Sequence, residues 1–200
     1  MFIKICGITN IQDALDAIAS GADALGFLFA ESPRRISVGA VRNIVEQLPA
    51  NVLTIGVFRD HDSRQVVDTV REASLLGAQL HGHESSDQVA EVAAEVQWVA
   101  KSVIAGSAEA SNSDNYGTKM ILVDSANPGT GTGYDLSLIE QLPKSINVIL
   151  SGGLTVSNVA ESIRVVSPWG VDVSSGVEIA PGIKDLTKMR DFITNARTTC

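Results

Sequence analysis

A cysteine and an aspartate, each placed at the end of a short apolar run, are the residues of this sequence best suited to acid–base chemistry. Cys6 ends the run FIKIC and precedes Gly7, so its thiol can face a pocket where a cation or amide stabilises the thiolate. Asp124 follows the run MILV, where a buried carboxylate must be paired, hydrogen-bonded or raised in pKa. We therefore predict a free thiol that can form a thiolate and a carboxyl group suited to a general acid; the alternative is that Cys6 is a small buried hydrophobic residue.

Two segments rich in glycine and serine are typical of a phosphate site. Each follows an apolar run, and glycine allows the backbone N–H groups to approach an anion closely. The alternative is that both segments are ordinary tight turns. The predicted phosphate-binding residues are Gly152 and Gly153 of the segment SGG, and Ser174, Ser175 and Gly176 of the segment SSG.

The arginines of the segment ESPRRI could bind a second anionic group. A guanidinium donates two parallel hydrogen bonds to a carboxylate, which makes Arg34 a candidate for binding a ligand carboxylate. The alternative is that Arg34 is a surface charge. Its neighbour Arg35 is the weaker candidate.

Short apolar runs, rich in β-branched residues, alternate with helical patterns along the whole chain. The helical patterns place apolar residues on one face, as in Val38, Val41, Ile44, Val45 and Leu48. The runs predict eight strands, which are FIKIC from Phe2, ALGFLF from Ala24, VLTIGVF from Val52, AQLH from Ala78, WVAKSV from Trp98, MILV from Met120, NVIL from Asn147 and VDVS from Val171.

This alternation implies parallel strands joined by helices, either in a closed barrel or in an open doubly wound sheet. Eight repeats favour an α/β fold in which residues 1–200 form a single-domain (β/α)8 TIM barrel. A chain of 200 residues is short for this fold, so one helix should be reduced, and the weakest unit is Gly106 to Asn115. The carboxyl ends of the strands then hold the site, which is where the residues above lie.

Helix boundaries can be placed from residues with known preferences. Asn10, Ser37 and Thr155 each precede a helical pattern and are predicted to be N-caps. Gly21 and Gly77 are predicted to end helices, because glycine tolerates the left-handed backbone conformation found there.

Composition narrows the class of protein. The chain is 44% hydrophobic and 19% charged, so it can bury a large core, and its net charge of −8 argues against nucleic-acid or membrane partners. The N-terminal MFIKICGITN has too short an apolar run for a signal peptide, and no later segment reaches the roughly 18 apolar residues of a membrane span, which predicts a cytoplasmic protein. Neither cysteine lies in a metal-ligand pattern, so we predict no metal site and a free Cys6 that is not bonded to Cys200.

Eight short motifs in a fixed order give the sequence a resemblance to the phosphoribosylanthranilate isomerase family over nearly its whole length. The order of the motifs carries the resemblance, since no single tetrapeptide would. The motifs are KICGIT (4–9), GADALGFLF (21–29), SPRRI (32–36), GVF (56–58), QLHG (79–82), VDS with GTG (123–131), LSGGL (150–154) and VDVSSGVE leading to PGIKD (171–185).

The resemblance implies an Amadori rearrangement of N-(5-phosphoribosyl)anthranilate in tryptophan biosynthesis, without a cofactor. It implies that Cys6 is the general base, that Asp124 is the general acid and that Arg34 binds the anthranilate carboxylate. Gly153, Ser175 and Gly176 would hold the phosphate. The oligomeric state is left open as monomer or homodimer.

Three further polar residues at strand ends complete the predicted site. Gln79 and His81 are expected to line the substrate pocket or to support its loops. Asp172 is expected to tune Cys6 or to contact the substrate amine, and its more ordinary alternative is a hydrogen bond with a loop amide. The glycine-rich loop after Asp124 could cover the ligand or lie on the surface.

Two other functions remain as alternatives. The histidine-pathway isomerase performs the same rearrangement on a related substrate, or one barrel could accept both substrates. However, that enzyme resembles this chain less, because it has an aspartate where Cys6 stands. An inactive barrel that only binds a phosphorylated ligand would have lost Cys6 or Asp124, and both are present.

Overall fold

Eight parallel strands close into a barrel, and their order around it is their order along the chain. The computed structural model describes residues 1–127, 131 and 133–199. This closed ring confirms the predicted TIM barrel and excludes the open doubly wound sheet. The strands are β1 (Phe2–Cys6), β2 (Ala24–Leu28), β3 (Leu53–Phe58), β4 (Gly77–Leu80), β5 (Trp98–Ile104), β6 (Met120–Asp124), β7 (Asn147–Leu150) and β8 (Gly170–Val173).

The strands form where the sequence places its β-branched and aliphatic runs. Both faces of such a barrel are covered, by packed side chains inside and by helices outside, so its strands are almost continuously apolar. The bounds of β1 and β7 are those predicted, and the other strands differ from the prediction by one residue at one or both ends.

Helices and short 3-10 helices connect the strands. The unit at 106–115 was expected to be reduced, and it contains only a four-residue helix followed by a 3-10 helix. Among the described residues between β6 and β7, the helical segment is a 3-10 helix. The helices are α1 (Ile11–Ala19), α2 (Val38–Val45), α3 (Ser63–Glu72), α4 (Ser86–Ala93), α5 (Ala108–Ser111), α6 (Val159–Val166) and α7 (Leu186–Thr198), and the 3-10 helices span Ser113–Tyr116, Leu136–Gln141 and Ser175–Val177.

Two of the predicted N-caps are confirmed and the third is wrong. The Asn10 and Ser37 side chains accept hydrogen bonds from the backbone N–H groups of the first helical turns. Thr155 does not cap α6, which begins four residues later at Val159. The reason is that the Asn158 side chain accepts a hydrogen bond from the Thr155 N–H and donates one to the Gly153 carbonyl, which holds the chain in a separate turn before the helix.

One of the two predicted helix ends is confirmed and the other is wrong. Gly21 follows α1 with a φ of 102°, in the region that favours glycine, and is confirmed. Gly77 is not a helix end, because it begins β4 and a Cβ there would lie 3.0 Å from the Trp98 carbonyl oxygen. The left-handed position after α3 belongs instead to Ser74, with a φ of 57°.

Two strands of the barrel each carry a buried lysine, Lys4 in β1 and Lys101 in β5. Lys4 of β1 pairs with Asp172 of β8 at 3.0 Å. Lys101 of β5 pairs with Glu84 at 3.1 Å and donates a hydrogen bond of 2.7 Å to the Gly82 carbonyl. A buried charge is costly unless it is paired, so each lysine fixes the position of its carboxylate.

The seam between α7 and the barrel can be tested at Phe192. Its side chain is fully buried in the core. Phe192→Ala should lower the free energy of unfolding by about 3–5 kcal/mol because it removes buried apolar surface and leaves a cavity. Urea unfolding followed by circular dichroism measures this loss. Leu186→Ala on the same helix is the control, because Leu186 is half exposed and should cost less than about 1 kcal/mol; equal losses would contradict the packing.

Candidate active site

A cavity opens at the carboxyl ends of the strands, where the fold places its ligands. It is formed by side chains from β1, β4, β6 and β8 together with the loops that follow β2, β7 and β8. Most of the residues predicted for the site are therefore brought together. The predicted residues that line the cavity are Cys6, Arg34, Gln79, His81, Asp124, Gly152, Gly153, Asp172, Ser174 and Ser175.

Cys6 is a buried free thiol at the end of β1. Burial raises its pKa, and the charge of the nearby Lys4 ammonium opposes this effect. Cys200 lies outside the described residues, so the expected absence of a bond between the two cysteines stays a prediction. The thiol contributes a weakly acidic group to the cavity floor.

Asp124 is the last residue of β6, and its carboxylate is buried and hydrogen-bonded. Its Oδ1 accepts a hydrogen bond of 2.7 Å from the Ser125 backbone N–H. Its Oδ2 lies 3.4 Å from His81 Nε2. The carboxylate is thus held by neighbouring groups on two sides while it faces the same cavity as Cys6.

His81 is oriented by a chain of hydrogen bonds that begins in β4. The Gln79 amide nitrogen lies 2.9 Å from His81 Nδ1 and 3.2 Å from the Ser102 hydroxyl. These contacts orient the imidazole so that Nε2 faces Asp124 Oδ2 at 3.4 Å. His81 and Asp124 therefore form one contact at the cavity wall.

Arg34 is held at the edge of the cavity by a carboxylate. Its Nε and Nη2 each donate a hydrogen bond of 2.8 Å to Glu178, and these bonds raise the pKa of Arg34. Glu178 belongs to a small hairpin after β8, formed by β9 (Glu178–Ala180) and β10 (Ile183–Lys184). A guanidinium has five N–H groups, so this pair leaves others able to bind a ligand carboxylate.

Lys184 completes this buried cluster. Its ammonium donates hydrogen bonds of 2.9 Å to Glu178 and 2.5 Å to the Cys6 carbonyl. Sequence reasoning assigned no role to Glu178 or Lys184. Glu178 ends the motif VDVSSGVE, and Lys184 lies in the PGIKD that follows it. Their contacts with Arg34 and Cys6 could not be predicted, because these residues are remote in sequence.

The two predicted phosphate loops pack directly against each other. Gly152 and Gly153 have φ values of 82° and 70°, a conformation that favours glycine. A Cβ on Gly176 would lie 1.9 Å from the Leu154 carbonyl oxygen, so Gly176 serves this close approach behind the cavity wall. The buried hydroxyl of Ser174 has no hydrogen-bond partner among the described residues.

Asp172 has a partner that the sequence did not predict. Its Oδ1 accepts a hydrogen bond of 3.0 Å from the Lys4 ammonium, so the loop-amide alternative is wrong. The glycine-rich loop after Asp124 was predicted as a possible cover. Residues 128–130 and 132 of that loop, which include most of GTG, lie outside the described residues.

Two searches for other features concern only the described part of the chain. No helix in it is long and apolar enough to cross a membrane. Within residues 1–127, 131 and 133–199, no group of three or more His, Cys, Asp and Glu side chains is placed to hold a metal ion.

The barrel and its cavity define a (β/α)8 protein with a buried thiol, a buried carboxylate and two glycine–serine loops at one ligand site. The family model described as N-(5'phosphoribosyl)anthranilate (PRA) isomerase matches residues 3–195. The chain therefore belongs to the phosphoribosylanthranilate isomerase family.

Individual relatives resemble the chain over its whole length. It is 39% identical to the N-(5'-phosphoribosyl)anthranilate isomerase of Bacillus cereus strain AH820, over 98% of both chains. It is similar to the crystal structure of phosphoribosyl anthranilate isomerase from Thermus thermophilus, with a TM-score of 0.91, 36% identity and 99% of both chains covered. A third relative was crystallised with reduced 1-(o-carboxyphenylamino)-1-deoxyribulose 5-phosphate, with a TM-score of 0.86, 36% identity and the same coverage.

Acid unfolding tests the cluster of Arg34, Glu178 and Lys184. Burial raises the pKa of Glu178, but Arg34 and Lys184 together bring it below its ordinary value of 4.5. A depressed pKa stabilises the fold above the unfolded-state value, and this contribution is lost as the pH falls through the folded-state value. Below pH 4.5, Glu178→Gln should therefore lose less stability than wild type.

At neutral pH the same variant should be less stable by about 3–5 kcal/mol, because it leaves buried cations without their carboxylate. Urea unfolding at a series of pH values measures both effects. Glu161→Gln is the control, since Glu161 forms an exposed pair with Arg164 and should change neither. Parallel pH dependences for wild type and Glu178→Gln would contradict the assignment.

Proposed function

We propose that this protein catalyses the Amadori rearrangement of N-(5'-phosphoribosyl)anthranilate to 1-(2-carboxyphenylamino)-1-deoxyribulose 5-phosphate, a step of tryptophan biosynthesis, in the cytoplasm. The observation that carries the proposal is that Cys6 and Asp124 line the same cavity in a chain of this family. The complex of a solved relative with the reduced product analogue supports the same substrate class. The protein would act without a cofactor, as a monomer or homodimer in which residues 1–200 form one catalytic domain.

The first step is opening of the ribose ring, and Asp124 acts as the general acid. Its carboxyl group donates a proton to the ring oxygen as the bond between that oxygen and C1 breaks, which leaves a protonated imine at C1. The carboxylate that remains faces His81 Nε2 at 3.4 Å and the Ser125 N–H at 2.7 Å. Both groups stabilise the negative charge that Asp124 acquires in this step.

The second step is removal of the C2 proton, with Cys6 as the general base. The thiolate takes the proton, and the electrons of the C–H bond form an enolamine as the protonated imine is neutralised. The enolamine then tautomerises to the ketone. Cys6 and Asp124 come from β1 and β6, which β7 and β8 separate, so the two groups reach the ribose from different sides of the cavity.

Binding at both ends holds the ribose between acid and base. The loops after β7 and β8 would bind the phosphate through Gly152, Gly153, Ser174 and Ser175, and Gly176 would hold the loops together. Arg34 would bind the anthranilate carboxylate, while Gln79, His81 and Asp172 would shape the space between. Fixing two anionic ends in this way reduces the entropy that the reaction loses at its transition state.

The roles of acid and base predict the activities of two variants. Cys6→Ser and Asp124→Asn should each lower kcat by about 10²–10⁴-fold while remaining folded, because each removes one proton transfer. Conversion of phosphoribosylanthranilate is followed by fluorescence, and folding by circular dichroism. An inactive wild type would reject the function, whereas near-wild-type rates in both variants would reject only the mechanism.

Matched controls separate these effects from general damage. Cys200→Ser replaces the other cysteine of the sequence, and Asp114→Asn replaces an exposed aspartate of a 3-10 helix. Both should retain wild-type kcat. The substrate of the histidine-pathway isomerase should not be converted, and its conversion would point to the bifunctional alternative.

The phosphate site can be tested by adding a negative charge. Ser175→Asp should raise KM about tenfold or more, equivalent to about 1.4 kcal/mol, because the new carboxylate repels the phosphate. Ser157→Asp adds the same charge at an exposed position after the neighbouring strand and should leave KM unchanged. Steady-state kinetics at low ionic strength measure both variants, and equal effects would contradict a phosphate site between these loops.

A further inference from the structure

Lys4 lies inside the barrel, directly beneath the cavity. It precedes Cys6 by two residues in β1, so both side chains point to the same face of the strand. Cys6 and Asp172 line the cavity, whereas the fully buried Lys4 lies below them. The reaction steps derived above give Lys4 no role, although burial of a lysine is costly.

The space beside Cys6 is shared with the Lys4 ammonium. Gly26 is the β2 residue paired with Cys6, and its missing side chain leaves room inside the barrel. A Cβ on Gly26 would lie 2.8 Å from Cys6 Sγ and 2.9 Å from Lys4 Nζ. The sulfur and the ammonium therefore approach the same point, and they are neighbours within the core.

Asp172 holds the ammonium in this position. Lys4 and Asp172 are Cα partners in the pairing of β1 with β8, and Nζ lies 3.0 Å from Oδ1. Burial lowers the pKa of Lys4, but Asp172 and Cys6 together raise it above its usual 10.5. The Asp172 carboxylate therefore favours the ammonium form of Lys4.

Four charged groups act on the Cys6 sulfur. Lys4 belongs to β1, Asp172 to β8, Lys184 to β10, and Arg34 to the loop that follows β2. Burial raises the pKa of Cys6; the charge of Lys4 lowers it, and the charge of Asp172 raises it further. Lys184 also lowers it, but its ammonium is bound to Glu178 and to the Cys6 carbonyl.

We propose that Lys4 is a positioning residue of the reaction, whose ammonium, held by Asp172, stabilises the Cys6 thiolate from inside the barrel. Cys6 then accepts the C2 proton of the substrate and returns to the thiol, while Lys4 keeps its own protons throughout. That Cys6 takes its proton from C2 of the substrate rests on the proposed function. The contact between ammonium and sulfur does not, since it is a property of the free protein.

Alkylation of Cys6 by iodoacetamide tests this contact without substrate. The reagent reacts with the thiolate, so its rate against pH between about 6 and 11 reports the pKa of the thiol. In a Cys200→Ser background, Lys4→Met should raise the midpoint of this profile by about one pH unit or more. At any pH below the midpoint, the alkylation rate then falls about tenfold. The acidic limb of kcat/KM should move to higher pH in parallel, because the base must be unprotonated.

Asp172→Asn gives a second and opposite test. It removes a negative charge beside the sulfur and leaves the Lys4 ammonium with the thiolate as its remaining counter-ion, so the alkylation profile should move to lower pH. Lys4→Arg retains the positive charge and should keep the profile closer to wild type than Lys4→Met does. If Lys4→Met does not fold, Lys4→Gln removes the same charge while keeping a donor for Asp172, and it should show the same upward shift.

Lys101→Met is the control, because it removes the buried lysine of β5, which is paired with Glu84 and faces away from the cavity side of its strand. It should destabilise the fold comparably and leave the Cys6 profile unchanged. A wild-type profile in Lys4→Met, or shifts in the same direction in Lys4→Met and Asp172→Asn, would overturn the proposal. An inactive wild-type enzyme would reject the proposed function, whereas the alkylation result would still decide the contact.

Discussion

The closure of the barrel between β8 and β1 is the constraint on which the site depends. This pairing joins residues that are 168 positions apart in sequence, and its register sets Lys4 opposite Asp172. A shift of one residue would turn every side chain of β1 to the other face. Lys4 would then lose its carboxylate and Cys6 would leave the cavity, so the buried ion pair favours the same register that assembles the site.

The same closure brings three loops together above β1, and glycine makes this possible. A Cβ on Gly7 would lie 2.7 Å from the Arg34 side chain and 2.9 Å from the Ser174 hydroxyl. Arg34 comes from the loop after β2, and Ser174 from the loop after β8. The groups proposed to bind the two ends of the substrate can therefore flank Cys6 closely, because no side chain separates them at Gly7.

The sequence was sufficient to predict the barrel and most of the cavity, because both follow from local patterns. Apolar runs predict the strands, and the fold requires the site at their carboxyl ends, where Cys6 and Asp124 stand. Contacts between remote residues leave no such pattern. The sequence shows a lysine in a strand at Lys4, but not the partner in β8 that makes its burial possible. Gly77 follows a helical pattern, so it was predicted to end a helix; its close contact with Trp98 of the neighbouring strand is not visible in the sequence.

The position of Lys4 beneath the cavity also resolves a conflict between two requirements of the proposed reaction. A cation exposed in the cavity would favour the thiolate, but it would also attract the phosphate of the substrate toward the reacting carbon. Lys4 is fully buried and paired with Asp172, so the pair presents little net charge to a ligand. The Lys4 ammonium still stabilises the neighbouring Cys6 thiolate, because electrostatic interactions are stronger in a buried environment. Lys4 can therefore favour the thiolate from inside the barrel, while the loops after β7 and β8 remain the proposed site for phosphate.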